Sequence, residues 1–399
     1  MNLLRLYKDS LSGLPKPIWI LSLIMLINRS GAMVMPFMSL YLHKSKGYEL
    51  SEIGLIMISL GLGSVSGNYI GGKLVDRFGQ YHIQISSLFL TGLIFIGFPM
   101  LEGMLELMVG MFVLNLVADT LRPANMAAIA IYGSPEIQTR AVSLNRLAIN
   151  LGFSIGPAMA GILAGKYGYN FLFYIDGVTC LLASLGVYLL LPRKEERRSK
   201  SVERKQANKK ILYRDKNDHY FLFLVLIVAL CFVQFFHTIP MFWDIGLGLS
   251  EAQIGKLLAL NGMIIFLMEM PIIHYLVEKG INKLYVIKIG VVFMGLGFFV
   301  FVMPLTLMVI LILFTILLTI GEILSLPSQV SYSLDRADPI IRGNYMGWYG
   351  STWSIAQIIG PAAGFFIADH FGFTTLWILI TVILLFTSLG FGILTRYEN

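Results

Sequence analysis

Twelve apolar runs, each of about twenty residues or more, divide this 399-residue chain. Between charged or Gly/Pro-rich interruptions they occupy 17–43, 50–72, 81–101, 105–133, 138–165, 169–191, 218–245, 251–277, 283–303, 306–333, 342–367 and 371–395. Apolar helices of that length cross a hydrocarbon layer about 30 Å thick. Six runs precede a polar stretch of about 25 residues and six follow it. The pattern predicts an all-α integral membrane protein with twelve transmembrane helices in two pseudo-symmetric six-helix bundles. The bundles are expected at 1–192 and 218–399, joined by a linker at 193–217.

The halves echo one another. Leu50-Ser51-Glu52-Ile53-Gly54 opens the second run, and Leu249-Ser250-Glu251-Ala252-Gln253-Ile254-Gly255 opens the eighth. Gly156-Pro157-Ala158-Met159-Ala160-Gly161 in the fifth is matched by Gly360-Pro361-Ala362-Ala363-Gly364 in the eleventh. Internal repeats of this kind are expected of transporters built from related bundles around a central site.

Composition agrees: only 13% of residues are charged and the mean hydropathy is +0.75, against roughly 25% charged residues in soluble domains. The net charge of +7 is local. Arg193 to Lys216 contains eleven Lys/Arg and four Asp/Glu, so the remainder of the chain is neutral. Positive charge collects on the cytoplasmic side of membrane proteins. The linker, Arg5, Lys8, Lys16, Lys279, Lys283 and Arg396 all fall on one side of alternating spans, which predicts cytoplasmic termini. Anionic lipid, not nucleic acid, is the expected partner of the linker. Cys180 and Cys231 lie inside apolar runs and form no disulfide framework. No metal-ligand spacing, nucleophile elbow or phosphate-cradling loop is present, so neither a metal, a cofactor nor an enzyme activity is expected.

Two motifs carry a resemblance. Gly72-Lys73-Leu74-Val75-Asp76-Arg77-Phe78-Gly79 has the form G-x-L-x-D-R-x-G, and Gly152, Gly156, Pro157 and Gly161 thin one face of the fifth run. They resemble the loop 2–3 and fifth-helix antiporter signatures of the major facilitator superfamily, in particular its twelve-helix drug:proton antiporters. The resemblance implies that Gly72, Asp76, Arg77 and Gly79 form a conformational latch, although Gln80-Tyr81-His82 replaces the usual second basic cluster. It also implies that the fifth-helix stripe seals an antiporter against leak.

Charges inside apolar runs cost about 2.5–3.5 kcal/mol each at mid-membrane, so each points to a partner or a wet cavity. Asn28, Arg29, Asp119, Arg122 and Arg146 stand in the first half. They form either a substrate cavity or a static ion-pair cluster. Glu269 and Glu322, in the second half with Asp119 as a further candidate, are the expected proton carriers; Gln234 and His237 add polar groups to the cavity or to the core. Asp176 is placed near a membrane interface. The expected function is secondary transport: proton-coupled efflux of amphipathic or drug-like small molecules from a bacterial inner membrane, by a monomer. A proton-coupled nutrient symporter is the alternative.

The topology is testable by labelling. Ser201→Cys, in a chain whose Cys180 and Cys231 are replaced by Ala, is expected to react with an impermeant maleimide in inverted vesicles and not in intact cells. Labelling in intact cells would contradict it.

Overall fold

Within a membrane every backbone N–H and C=O must be satisfied inside the protein, which favours helices. The computed structural model describes residues 13–133, 137–193, 216–336 and 342–398, and among them no strand occurs. The basic linker, apart from Arg193, Lys216 and Asn217, lies outside the described residues, as do Arg5 and Lys8.

The first span is α1 (Lys16–Ser30) and α2 (Val34–Leu40), closed by a π-helical turn at Tyr41–Ser45. Then follow α3 (Leu50–Phe78), α4 (Gln80–Gly97), the broken fourth span α5 (Met104–Asp119) and α6 (Leu121–Tyr132), α7 (Gln138–Tyr167) and α8 (Tyr169–Leu190). The seventh span repeats the first: α9 (Lys216–Phe232), α10 (Gln234–Met241) and a π turn at Phe242–Gly246. It is followed by α11 (Glu251–Glu278), α12 (Lys283–Val300) and α13 (Leu307–Arg336).

The last helical stretch runs unbroken from Arg342 to Glu398 except at Gly372, whose φ of 81° and ψ of 158° are not helical. Gly79 (80°, 154°) and Gly168 (82°, 165°) have the same backbone and join α3 to α4 and α7 to α8 without a further loop residue. A side chain is disfavoured at such φ. Gly372 therefore separates α14 (342–371) from α15 (373–398), and eleven membrane-length stretches become twelve spans.

The repeat is also structural. The π turns begin at Tyr41 and Phe242, and positive-φ glycines lie at 47 and 248 and at 79 and 280, a constant offset of 201 residues. The second and eighth spans open on the same reach-back: Glu49 N–H donates to Glu52 Oε2 and Ser250 N–H to Gln253 Oε1, each at 2.9 Å. That bond satisfies a backbone donor that a helix start leaves unmatched.

Two compact units result. The first holds the described residues up to Arg193 together with Gly248–Phe266; the second begins at Lys216, leaves out that segment and resumes at Leu267. The segment 248–266, placed by the sequence in the C-terminal bundle, thus packs with the first unit. Glycines let it do so: a Cβ on Gly161 would lie 2.2 Å from the Glu251 carbonyl oxygen, and one on Gly255 2.4 Å from that of Pro157. In the first unit, Phe173 stacks on Phe98 (5.1 Å) and meets Tyr41 at 4.7 Å. In the second, Phe298, Phe301 and Trp377 enclose the ring of Phe314 or one another at 4.4–5.6 Å.

Within the first unit a second glycine row, Gly63, Gly67 and Gly71, lies on α3 against α5 and the start of α6. Cβ atoms there would fall 2.3 Å from the Phe112 carbonyl oxygen, 2.3 Å from that of Leu116 and 2.7 Å from Thr120 Cα. Small residues at this spacing bring backbones together. Gly72, by contrast, faces open space. Gly67→Val is expected to lower stability by about 1–3 kcal/mol, read as a fall in unfolding midpoint in detergent, while Gly72→Ala leaves it unchanged. An unchanged midpoint in Gly67→Val would contradict this packing.

Candidate functional site

The site grows from the break in the first span. Pro36 has no N–H, and its ring crowds the carbonyl one turn earlier, which ends a regular helix there. The chain turns at Gly31 to Met33, and the restarting helix leaves N–H groups without helical acceptors. Asp176 of α8 takes them: Met33 N–H donates to both carboxylate oxygens (3.0 and 3.1 Å) and Val34 N–H to Oδ2 (2.9 Å). Asp176 is 1% exposed, so it is a buried cap and not an interfacial acid as its position in the run suggested. Asn28 donates to Cys180 Sγ at 3.3 Å, one turn along the same helix.

Glycines of α7 press on this break. A Cβ on Gly152 would lie 2.6 Å from Arg29 Cβ, and one on Gly156 3.2 Å from the Ser30 carbonyl oxygen. The antiporter-type stripe is therefore divided: Gly152 and Gly156 pack against the first span, whereas Pro157 and Gly161 meet the start of α11. Arg29 lies half-buried with its Cζ 5.5 Å from the Phe153 ring centroid, and its Nε is buried without a hydrogen-bond partner.

The fourth span breaks for a similar reason. Pro123 cannot donate to the Asp119 carbonyl, and the helix steps at Thr120. Asp119 Oδ1 accepts Arg122 Nε at 3.1 Å, and the Ser64 hydroxyl donates to Oδ2. The Arg122 side chain remains 63% exposed. Arg29 has Arg122, Asp119 and Cys180 as its charged or polarisable surroundings. Asn28, Arg29, Asp119 and Arg122 thus belong to one neighbourhood; Arg146 is exposed on α7.

In the second unit Glu269 is 9% exposed and Glu322 half-buried. Glu322 and Asp119 are each the sixteenth residue of their helix, α13 and α5. Gln234 is engaged in packing: its Nε2 donates to the Leu230 and Gly360 carbonyls (3.1 and 2.7 Å), and its Oε1 accepts the Thr238 hydroxyl (2.9 Å). His237 is buried and bonded to Gln357.

In the motif of the second and third spans, Asp76 and Arg77 are both exposed. Arg77 lies over the Phe78 ring (5.1 Å), and Asp76 makes no hydrogen bond or ion pair among the described residues. A different cluster is closed. Glu251 Oε1 accepts Lys44 Nζ and the Tyr169 hydroxyl, each at 2.9 Å, joining the first span, α8 and the start of α11. Glu251 stood in the repeated Leu-Ser-Glu signature, but residues 207 positions apart leave no sequence signal of pairing.

Helices of membrane length, a doubled six-span plan and charged breaks inside the spans define a membrane transporter. The sequence profile of the Major Facilitator Superfamily matches residues 18–361, and the chain belongs to that family. Among its relatives are the uncharacterised MFS-type transporter YttB of Bacillus subtilis, 25% identical and covering 93% of both chains, and a Na(+), Li(+), K(+)/H(+) antiporter of Planococcus maritimus, 22% identical over 84% of this chain and 85% of the relative. A putative multidrug resistance protein, MdtD of Serratia proteamaculans, is 26% identical over 36% of this chain and 31% of its own. Of solved structures, the D-xylose-proton symporter superposes with a TM-score of 0.79 (16% identity; 94% of this chain, 96% of that one). The nucleoside transporter NupG gives 0.78 (13% identity; 96% and 100%).

The Lys44–Glu251 pair is expected to show a coupling of about 0.5–1 kcal/mol, the scale of partly exposed ion pairs. The measurement is a double-mutant cycle of Lys44→Met and Glu251→Gln, read by unfolding in detergent. Additive effects would show that the contact contributes nothing.

Proposed function

We propose that the protein exchanges protons for amphipathic small molecules, exporting them across a bacterial plasma membrane by alternating access, with both termini in the cytoplasm. The observation that carries this reading is the burial of Glu269 and the half-burial of Glu322 within apolar spans of one unit. A carboxylate is costly to keep ionised in that setting. A carboxyl that meets water in one access state and apolar surroundings in the other takes up a proton on one side and releases it on the other. Asp119, the sixteenth residue of its helix as Glu322 is of its own, is held by Arg122 and Ser64 and is a further candidate.

Export is favoured by the relatives named for antiport and multidrug resistance and by the fifth-helix stripe, whose close contact with the start of α11 leaves little room for leak. The described state has the Lys44–Glu251–Tyr169 cluster closed and Asp76 without a partner. We assign Asp76, Arg77 and the Gly79 turn to a latch that closes in the opposite access state.

In proteoliposomes with an imposed pH gradient, Glu322→Gln or Glu269→Gln is expected to reduce gradient-driven efflux at least about tenfold, the scale of losing an essential proton carrier, with substrate binding retained. Unchanged pH dependence in both variants would make these carboxyls structural. Accumulation of the compound together with protons would identify a symporter instead.

A further inference from the structure

Arg29 is a half-buried charge in the neighbourhood of Asp119 and Arg122, and it has no hydrogen-bonding partner of its own among the described residues. It makes no hydrogen bond and no ion pair there; its guanidinium faces the Phe153 ring, with Arg122, Asp119 and Cys180 further off. The acceptors around it are committed elsewhere. Asp119 holds Arg122 Nε and the Ser64 hydroxyl, and Asp176 turns both oxygens to the Met33 and Val34 N–H groups. Asn28 donates its amide to Cys180. Arg29 is therefore a cation whose hydrogen-bond donors are not taken up by the acids near it.

A cation withdrawn from water without a counter-charge is unfavourable and calls for an anion. The guanidinium is a planar fork of five donors that matches a carboxylate through two parallel bonds. The fold holds it still: Gly152 packs on its Cβ, and the capped break at Met33 lies one turn beyond. Phe153, 37% exposed, offers an apolar face on its flank. The exposed Arg122 guanidinium, with only Nε taken by Asp119, supplies further donors to the same field.

We infer that Arg29 is the anchor for the acidic group of the cargo, and that the protein binds amphipathic organic anions, carboxylates foremost, with the apolar body of the molecule against Phe153. This rests on the reading of the chain as a small-molecule exporter and names the class of molecule that it takes. Lipophilic cations are disfavoured next to a guanidinium that has no counter-ion of its own.

The test is binding without a gradient, so that it does not depend on proton coupling or on direction. The full chain in lipid nanodiscs is titrated with 2-naphthoate, 2-naphthamide and 2-naphthylmethylammonium, three probes with one apolar body and different charge. Naphthoate is expected to bind at least about tenfold more tightly than the amide, the scale of a bidentate charge-assisted pair, with the ammonium weakest. Arg29→Gln removes the preference. Arg29→Lys keeps its sign with about three- to tenfold weaker binding, because the point charge remains and the fork is lost. Arg122→Gln weakens binding less than Arg29→Gln does.

Equal affinity for the three probes, a preference for the ammonium, or no binding of naphthoate at about 10 mM would overturn the inference. So would an anion preference that survives in Arg29→Gln. Should that variant fail to fold, Arg29→Lys decides, and wild-type affinity in it refutes the assignment. Naphthoate that binds as expected but is not moved by a pH gradient would leave the anion site standing and refute the proton-coupled reading.

Discussion

Asp176 closes the one gap in the first span that the membrane does not forgive. A helix broken at mid-depth exposes backbone groups that lipid cannot satisfy, and two N–H groups, of Met33 and Val34, end on a single buried carboxylate. The rest of the first unit is arranged around that bond. Gly31 turns where α8 presses closest, since a Cβ there would overlap Thr179. Gly152 and Gly156 allow α7 to lie on the same turn, and Arg29 is carried to its place by the residues that frame the break.

The second unit meets the same problem with a neutral group. Its seventh span breaks at Val233, and there the Gln234 amide donates to the Leu230 carbonyl and to Gly360 on α14. One half therefore uses a buried carboxylate to accept from donors at its break, and the other an amide that donates to a carbonyl at its break and to one on α14. The common backbone plan, with its offset of 201 residues between π turns, carries different chemistry in each half. Fixed charges gather at the breaks of the first unit, and carboxyls without a place in the helix breaks stand in the second. Under the proposed function that asymmetry divides the labour, with cargo recognised on one side of the repeat and protons on the other.

Much of the architecture was legible because hydropathy reports it directly. The runs at 138–165, 169–191 and 251–277 end within two residues of α7, α8 and α11. The breaks inside the first and fourth spans, at Gly31 to Met33 and at Thr120, interrupt runs that hydropathy reads as continuous. What those features joined was not legible. Asp176 and Met33 are 143 residues apart, and nothing in the local pattern of α8 marks a cap. Gln234 read as a polar group of either the cavity or the core because sequence shows that it is polar, not that Gly360 and Gly364 make room for it. Of the pair Gly71-Gly72, only Gly71 touches a neighbouring helix, a distinction of helical phase that composition does not carry. The latch motif was recognisable as a motif, yet its acid has no partner in the described state, while Lys44 and Glu251 form a clasp that no motif announced.

The dependence of the first unit on Asp176 is open to direct measurement by hydrogen–deuterium exchange in nanodiscs, following the peptide that contains residues 30–36. The account predicts slow exchange of the Met33 and Val34 amides in the wild type and acceleration of at least about tenfold in Asp176→Ala, as an opened hydrogen bond of about 1.4 kcal/mol or more requires. Peptides from the second unit should be unaffected. Exchange at 30–36 that is equally slow in Asp176→Ala would contradict the claim that this carboxylate holds the broken helix.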